Sequence, residues 1–214
     1  MKNGMFITLE GADGCGKTTQ LKHLAEYLEQ CGYQVVCSRE PGGTELAERL
    51  RELVLDASRT LSPRTETLLY IAARADHVSK VIRPALAAGK IVLCDRFADS
   101  TAVYQGFVNG VPLAELDNLS RFACEEIAPE VTLLLDGDPE LLATRRDSRG
   151  VHDRYEDAGL AFQQQIRAGF LKLAEMFPER IKVIDALQPE NAVAAAIIAE
   201  IDRHLAAKKL DQRS

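Results

Sequence analysis

The chain has 214 residues, 46% hydrophobic and 27% charged, a length and balance suited to one packed α/β core and unlike those of a disordered segment or a coiled coil. A formal net charge of −6 gives no general attraction to nucleic acid or to an anionic membrane, so neither is expected as a partner, and a polyphosphate site must rest on local basic clusters. Five cysteines stand singly without a C-x-x-C pair and no apolar run approaches the roughly 18 residues of a membrane span, so reduced thiols and a cytoplasmic location are expected.

The first element is a strand at residues 5–10, MFITLE, followed by GADGCGKTTQ and then by Leu21, Leu24, Ala25 and Leu28 at helical spacing up to Gly32. Between strand and helix stand Gly11, Gly16, Lys17 and Thr18 in the spacing G-x-x-x-x-G-K-[ST]. Glycines let successive N–H groups curl around an anion at a helix N-terminus that already carries positive partial charge. The segment Gly11, Ala12, Asp13, Gly14, Cys15, Gly16, Lys17, Thr18 and Thr19 therefore reads as a loop for the phosphates of a nucleotide triphosphate. Lys17 would reach the outer phosphates and the Thr18 hydroxyl would ligate Mg²⁺. Cys15 is a small residue that fits the loop, not a nucleophile.

Further strands are expected at 34–38, 90–94, 131–136 and 181–184, each short and rich in Val, Ile and Leu. Helical patterns run over 64–88, ending at Gly89, and near 113–127, 139–146, 160–176 and 190–207. The alternation predicts an α/β fold of the P-loop NTPase type, a five-stranded parallel sheet flanked by helices, as a single domain over 1–214. Ligands should sit at the carboxyl ends of the strands. There the chain has residues 11–18, 39–44, 95–97 and 136–138.

A phosphate loop is shared by GTPases, motor ATPases, transporters and small-molecule kinases, so it defines the fold better than the reaction. The chain has no N-K-x-D segment for guanine and no L-S-G-G-Q-type signature. A small kinase needs two further things: a second anion site for the acceptor and a basic flap that closes over the phosphates. Arg39, Arg49, Arg51, Arg74 and Arg96, on or near strand ends, are candidates for the first. The run Arg145-Arg146-Asp147-Ser148-Arg149-Gly150, with Arg154 beyond, is the candidate for the second, a short lid over about 145–157.

The segments FITLEGADGCGKTT, REPGGT, LLYIAARADH, CDRFADSTAVYQG and TRRDSRG together resemble the thymidylate kinases, nucleoside monophosphate kinases that make dTDP from dTMP and ATP for dTTP biosynthesis. They occur in that family's order and span most of the chain. Gly14 stands where one branch has a loop arginine, so the resemblance points to the bacterial branch, which supplies its catalytic arginine from the lid. Arg149 is the candidate, with Arg145 or Arg154 as alternatives.

The resemblance implies that Lys17 and Thr18 hold ATP phosphate and Mg²⁺, that Asp13 lies near the acceptor sugar and phosphate, and that Arg51 and Arg96 grip the acceptor phosphate. Asp95 would position Mg²⁺ through water, with Glu40 a second candidate for the metal's shell. Periodicity alone does not choose between Asp95 and Asp136; the D-R-[YFH] match selects Asp95 and leaves Asp136 structural. Tyr70 is placed in stacking position, Arg74 and Gln105 at the polar edge of thymine, Thr101 nearby, and Tyr104 against the 2′ position of the sugar. Arg145 and the Gln188-Pro189 loop are candidates for the adenine side. A homodimer is also implied. Two rivals stand beside this reading: a deoxynucleoside kinase, which would not need Arg51 and Arg96 for an acceptor phosphate, and a nucleotide-switched binding module.

Overall fold

The computed structural model describes residues 4–56, 58–147 and 159–211. Five strands, β1 (Met5–Glu10), β2 (Val35–Arg39), β3 (Ile91–Asp95), β4 (Val131–Asp136) and β5 (Ile181–Asp185), form a parallel sheet in the order β2-β3-β1-β4-β5. Every residue of β1 is buried, as are the first residues of β3 and β4, because helices cover both faces of the central strands. The edge strands β2 and β5 are partly exposed. Polar side chains inside the sheet are paired: the Thr8 and Thr132 hydroxyls, both buried, hydrogen-bond at 2.7 Å.

The helix α1 (Lys17–Gln30) buries Leu21, Leu24, Ala25 and Leu28 against one face of the sheet, together with Val193, Ile197 and Ile201 of α9 (Glu190–Asp211). The expected helix over 64–88 is a helical rod in three parts: α3 (Pro63–His77), a π-helical turn at Val78–Ile82, and α4 (Arg83–Ala87). The widened turn lies just before Pro84, which has no N–H to continue the regular ladder. Two segments were not anticipated. One is α2 (Glu45–Leu55), started by the Thr44 hydroxyl, which accepts the Ala47 N–H at 3.1 Å. It places Arg49 and Arg51 on a helix and not at a strand end. The other is α5 (Ala98–Thr101) with the π-helical Ala102–Val108 after it.

Three more helices, α6 (Leu113–Cys124), α7 (Pro139–Asp147) and α8 (Leu160–Met176), complete the described chain. The first of them stops at Cys124, short of 127, because Glu125 and Glu126 take positive φ of 47° and 64°. What this topology does for function follows from strand order. The connection from β1 to β2 passes over β3, and the connection from β3 to β4 passes over β1. The two connections leave in opposite directions, so a crevice opens between the carboxyl ends of β1 and β3.

Leu93 is wholly buried in β3, in the cluster shared with α1 and α9. Leu93→Ala should lower the unfolding free energy by about 2–5 kcal/mol, read from the urea midpoint; a loss under about 1 kcal/mol would contradict this packing.

Candidate active site

The loop after β1 needs its glycines for stated reasons. Gly11 has φ 139°, and a Cβ there would stand 2.4 Å from the Leu135 carbonyl oxygen. Gly16, with φ 93°, turns the chain into α1. Lys17 is buried, and its ammonium donates back to the loop, to the carbonyls of Gly11 at 3.1 Å and Ala12 at 3.0 Å. The Thr18 hydroxyl donates to Asp95 Oδ2 at 2.7 Å, joining the start of α1 to the end of β3. This pair of oxygens is of the hard donor type that a divalent cation such as Mg²⁺ would accept, directly or through water. Among the described residues no group of three His, Cys, Asp or Glu could hold a metal by itself. Thr19 is exposed on the next position of α1.

At the end of β3 the backbone turns sharply at Arg96, whose φ is 69°. The Arg96 guanidinium donates to the Gly11 carbonyl at 3.0 Å and to Ser100 Oγ at 3.2 Å, forms an ion pair with Asp13, and lies 5.5 Å from the Tyr104 ring centre. The Tyr104 hydroxyl is 3.5 Å from the other Asp13 oxygen. Burial opposes the charge on Arg96, but Tyr104, Asp13, Asp95 and Glu10 together hold its proton more tightly than usual.

The third group is built on α3. Tyr70, Arg74 and His77 recur at helical spacing, and Arg74 and His77 are buried. Arg74 Nε donates to Glu40 Oε2 at 2.7 Å, and His77 Nδ1 lies 2.9 Å from Glu40 Oε1. His77 Nε2 in turn meets the Ser38 hydroxyl at 2.6 Å. Arg74 Nη2 donates to Thr101 at 2.9 Å, while Nη1 is buried with no hydrogen-bond partner. Burial disfavours the Arg74 charge and the Glu40 carboxylate more than offsets it, so the guanidinium is held above its ordinary range. Glu40, which also lines the crevice at the carboxyl ends of β1 and β3, has both its oxygens engaged in orienting Arg74 and His77. Nearby, Gln105 Nε2 donates to the buried Glu66 at 2.7 Å.

These groups converge. Asp13, Lys17, Thr18, Arg51, Tyr70, Arg74, Asp95, Arg96, Thr101, Tyr104 and Gln105 all line one crevice of about 240 Å³ at the carboxyl ends of β1 and β3. Arg51 donates to the Pro41 carbonyl at 3.0 Å and so faces the crevice from α2. Arg49 does not join; it is exposed and pairs with Glu45 one turn away. Asp136 accepts from Arg167 through both oxygens at 2.8 Å. Arg149 and Arg154 lie outside the described residues, as does the Arg145 side chain. A larger cavity of about 490 Å³ lies on the other side of Phe97, between α6 and α8, without the phosphate loop.

Sequence reasoning overlooked His77, Glu66 and Glu10. His77 carried a usable signal, since it falls on the same helical face as Tyr70 and Arg74. Glu10 carried another: a carboxylate closing an otherwise apolar strand. It is fully buried, and burial first, then the neighbouring Asp99, raises its pKa from 4.5 to about 7. Because the folded-state value lies above the unfolded one, the stabilisation is fully present below pH 4.5 and is lost as pH rises through 7. The stability of the wild type relative to Glu10→Gln should therefore fall by about 2–3 kcal/mol between pH 5 and pH 8 in urea titrations. A difference that is flat across that interval would contradict a buried, titrating Glu10.

The chain is similar to known proteins over most of its length. The family pattern described as thymidylate kinase matches residues 9–197. Thymidylate kinase from Desulfosudis oleivorans is 47% identical over 207 residues, covering 93% of this chain and 97% of that protein. The one from Pseudomonas fluorescens is 48% identical over 197 residues, covering 92% and 94%. The crystal structure of thymidylate kinase from Ehrlichia chaffeensis matches with a TM-score of 0.75 at 37% identity, covering 93% of this chain and 99% of that one. A phosphate loop and a second cationic cluster meeting at one strand crossover, in a chain matched over nearly its whole length, place it in the thymidylate kinase family of nucleoside monophosphate kinases.

Proposed function

We propose that the chain transfers the terminal phosphoryl group of ATP to dTMP, yielding dTDP and ADP, with Mg²⁺ held at Thr18 and Asp95. The observation that carries this reading is the single crevice in which the phosphate loop, Arg96 and the unpartnered Arg74 Nη1 come together. One end is built for a triphosphate, and the other for an anion joined to a polar ring.

Phosphoryl transfer has little covalent chemistry for the protein to perform; positioning and charge stabilisation dominate. Lys17 would exchange its loop carbonyls for the outer phosphate oxygens of ATP. Bound Mg²⁺ supplies further neutralisation of those oxygens. Arg96 and Arg51 would take the acceptor phosphate, Arg96 by sharing its guanidinium between Asp13 and the incoming oxygens. Arg149, or Arg145 or Arg154 in its place, would bring charge from the lid to the group in flight. Arg145 and the other loop residues Ala12, Gly14, Cys15 and Thr19 would complete the nucleotide side.

For the base, Tyr70 offers a stacking face and Arg74 a donor to the thymine O4. Gln105 gives its amide nitrogen to Glu66, which leaves its carbonyl oxygen as an acceptor for the base N3–H. Thr101 steadies Arg74, and Tyr104 closes the sugar side. A homodimer is supported by exposed apolar side chains on three neighbouring helices: Leu46 and Leu53 of α2, Leu68 of α3 and Phe122 of α6. A single domain over 1–214, a cytoplasmic location with free cysteines, and the absence of nucleic-acid or membrane partners complete the reading, in keeping with the net charge of −6.

Arg74 can only donate, so the amino group that cytosine carries in place of the thymine O4 leaves a buried donor unpaired. Arg74→Ala should lower kcat/KM for dTMP by at least about tenfold while narrowing the dTMP-to-dCMP ratio by about tenfold. The ratio is independent of how much variant is folded, which matters because the change also strips Glu40 of a buried partner. An unchanged ratio would show that Arg74 does not read the base.

A further inference from the structure

Arg96 adopts φ 69°, a conformation unfavourable for a residue with a Cβ, at the position where its guanidinium enters the crevice. Such a turn persists only if the surroundings hold it on both sides. On the near side, the Arg96 N–H donates to the Leu9 carbonyl at 2.9 Å, and the Cys94 thiol donates to the Arg96 carbonyl at 3.1 Å. On the far side the holder is Glu10. Its Oε1 accepts the N–H of Phe97 at 2.8 Å and of Ser100 at 3.2 Å, and its Oε2 accepts the Ser100 hydroxyl at 2.6 Å. Ser100 Oγ then accepts from Arg96 Nη1 at 3.2 Å. One buried carboxylate thus ties down the backbone just after Arg96 and, through a single hydroxyl, the tip of the same side chain.

The neighbouring charges leave Glu10 to this task. Asp99, on the same short helix, is bound by both oxygens to Arg180 at 2.7 Å, and Arg180 also donates to Thr132. The Asp99 carboxylate is thereby drawn toward Arg180. We infer that Glu10 is a positioning residue for the acceptor phosphate, setting both the backbone turn and the guanidinium direction of Arg96 without itself touching a substrate. This rests on the proposed role of Arg96 toward dTMP.

The test measures dTMP affinity by calorimetry, and KM for dTMP and for ATP, in the wild type and in Glu10→Ala, Glu10→Gln, Ser100→Ala and Arg96→Ala. Glu10→Ala should weaken dTMP about tenfold or more while leaving KM for ATP within about twofold. Glu10→Gln, whose amide oxygen still accepts both N–H groups, should stay within about threefold of wild type, and Ser100→Ala should weaken dTMP about three- to tenfold. An equal rise in both KM values, or a Glu10→Gln protein as impaired as Glu10→Ala, would overturn the positioning role. If Glu10→Ala does not fold, Ser100→Ala decides: unchanged dTMP affinity there overturns the inference. Arg96→Ala with normal dTMP affinity would overturn the reading of Arg96 itself, whereas an impaired Arg96→Ala beside an unimpaired, folded Glu10→Ala would overturn the claim about Glu10 alone.

Discussion

Several cations are gathered into one crevice, and without an anion bound each must be held by the chain itself. The arrangement of the site follows from that constraint. Lys17 turns to the carbonyls of its own loop, Arg96 to Asp13, and Arg74 to Glu40. An unpaired buried charge would cost several kcal/mol, so these partners are a condition of the fold as well as of the chemistry. They also keep the charges oriented before substrate arrives, which is where a phosphoryl-transfer site gains most.

The partners differ in what they allow. Carbonyls release an ammonium readily, and Asp13, partly exposed at the crevice wall, can share Arg96 with a phosphate. Glu40 cannot release Arg74 in the same way, since the pair is buried and His77 and Ser38 brace it from behind. The geometry thus separates Lys17 and Arg96, whose partners can release or share them, from Arg74, whose donors are fixed. In the proposed roles, phosphoryl transfer would benefit from the first and discrimination between bases from the second.

Much of this was legible in the sequence. The strands at 5–10 and 131–136 fall where the apolar runs place them, and the loop between β1 and α1 falls where Gly11, Gly16, Lys17 and Thr18 mark it. Tyr70 and Arg74 share a helical face, as their spacing requires. The helix α2 was passed over although it was legible: Leu46, Ala47, Leu50, Leu53 and Val54 recur at helical spacing behind the Thr44 cap, in a segment that adjoins a candidate ligand loop. The pairing of Glu40 was not legible because its partners are distant in sequence: Arg74 and His77 lie 34 and 37 residues away. Glu10 was passed over for a related reason. A carboxylate at a strand end looks like a ligand or a rim charge, and only the fold shows it enclosed beneath the turn at Arg96.

The central claim is that the cationic end of the crevice is made for an acceptor that already carries a phosphate. The most direct measurement is acceptor-dependent ADP release with dTMP and with thymidine, at equal concentration and with ATP and Mg²⁺ saturating. The account predicts rapid release with dTMP and release near the no-acceptor background with thymidine. Comparable turnover of thymidine, or ADP release indifferent to any acceptor, would contradict it.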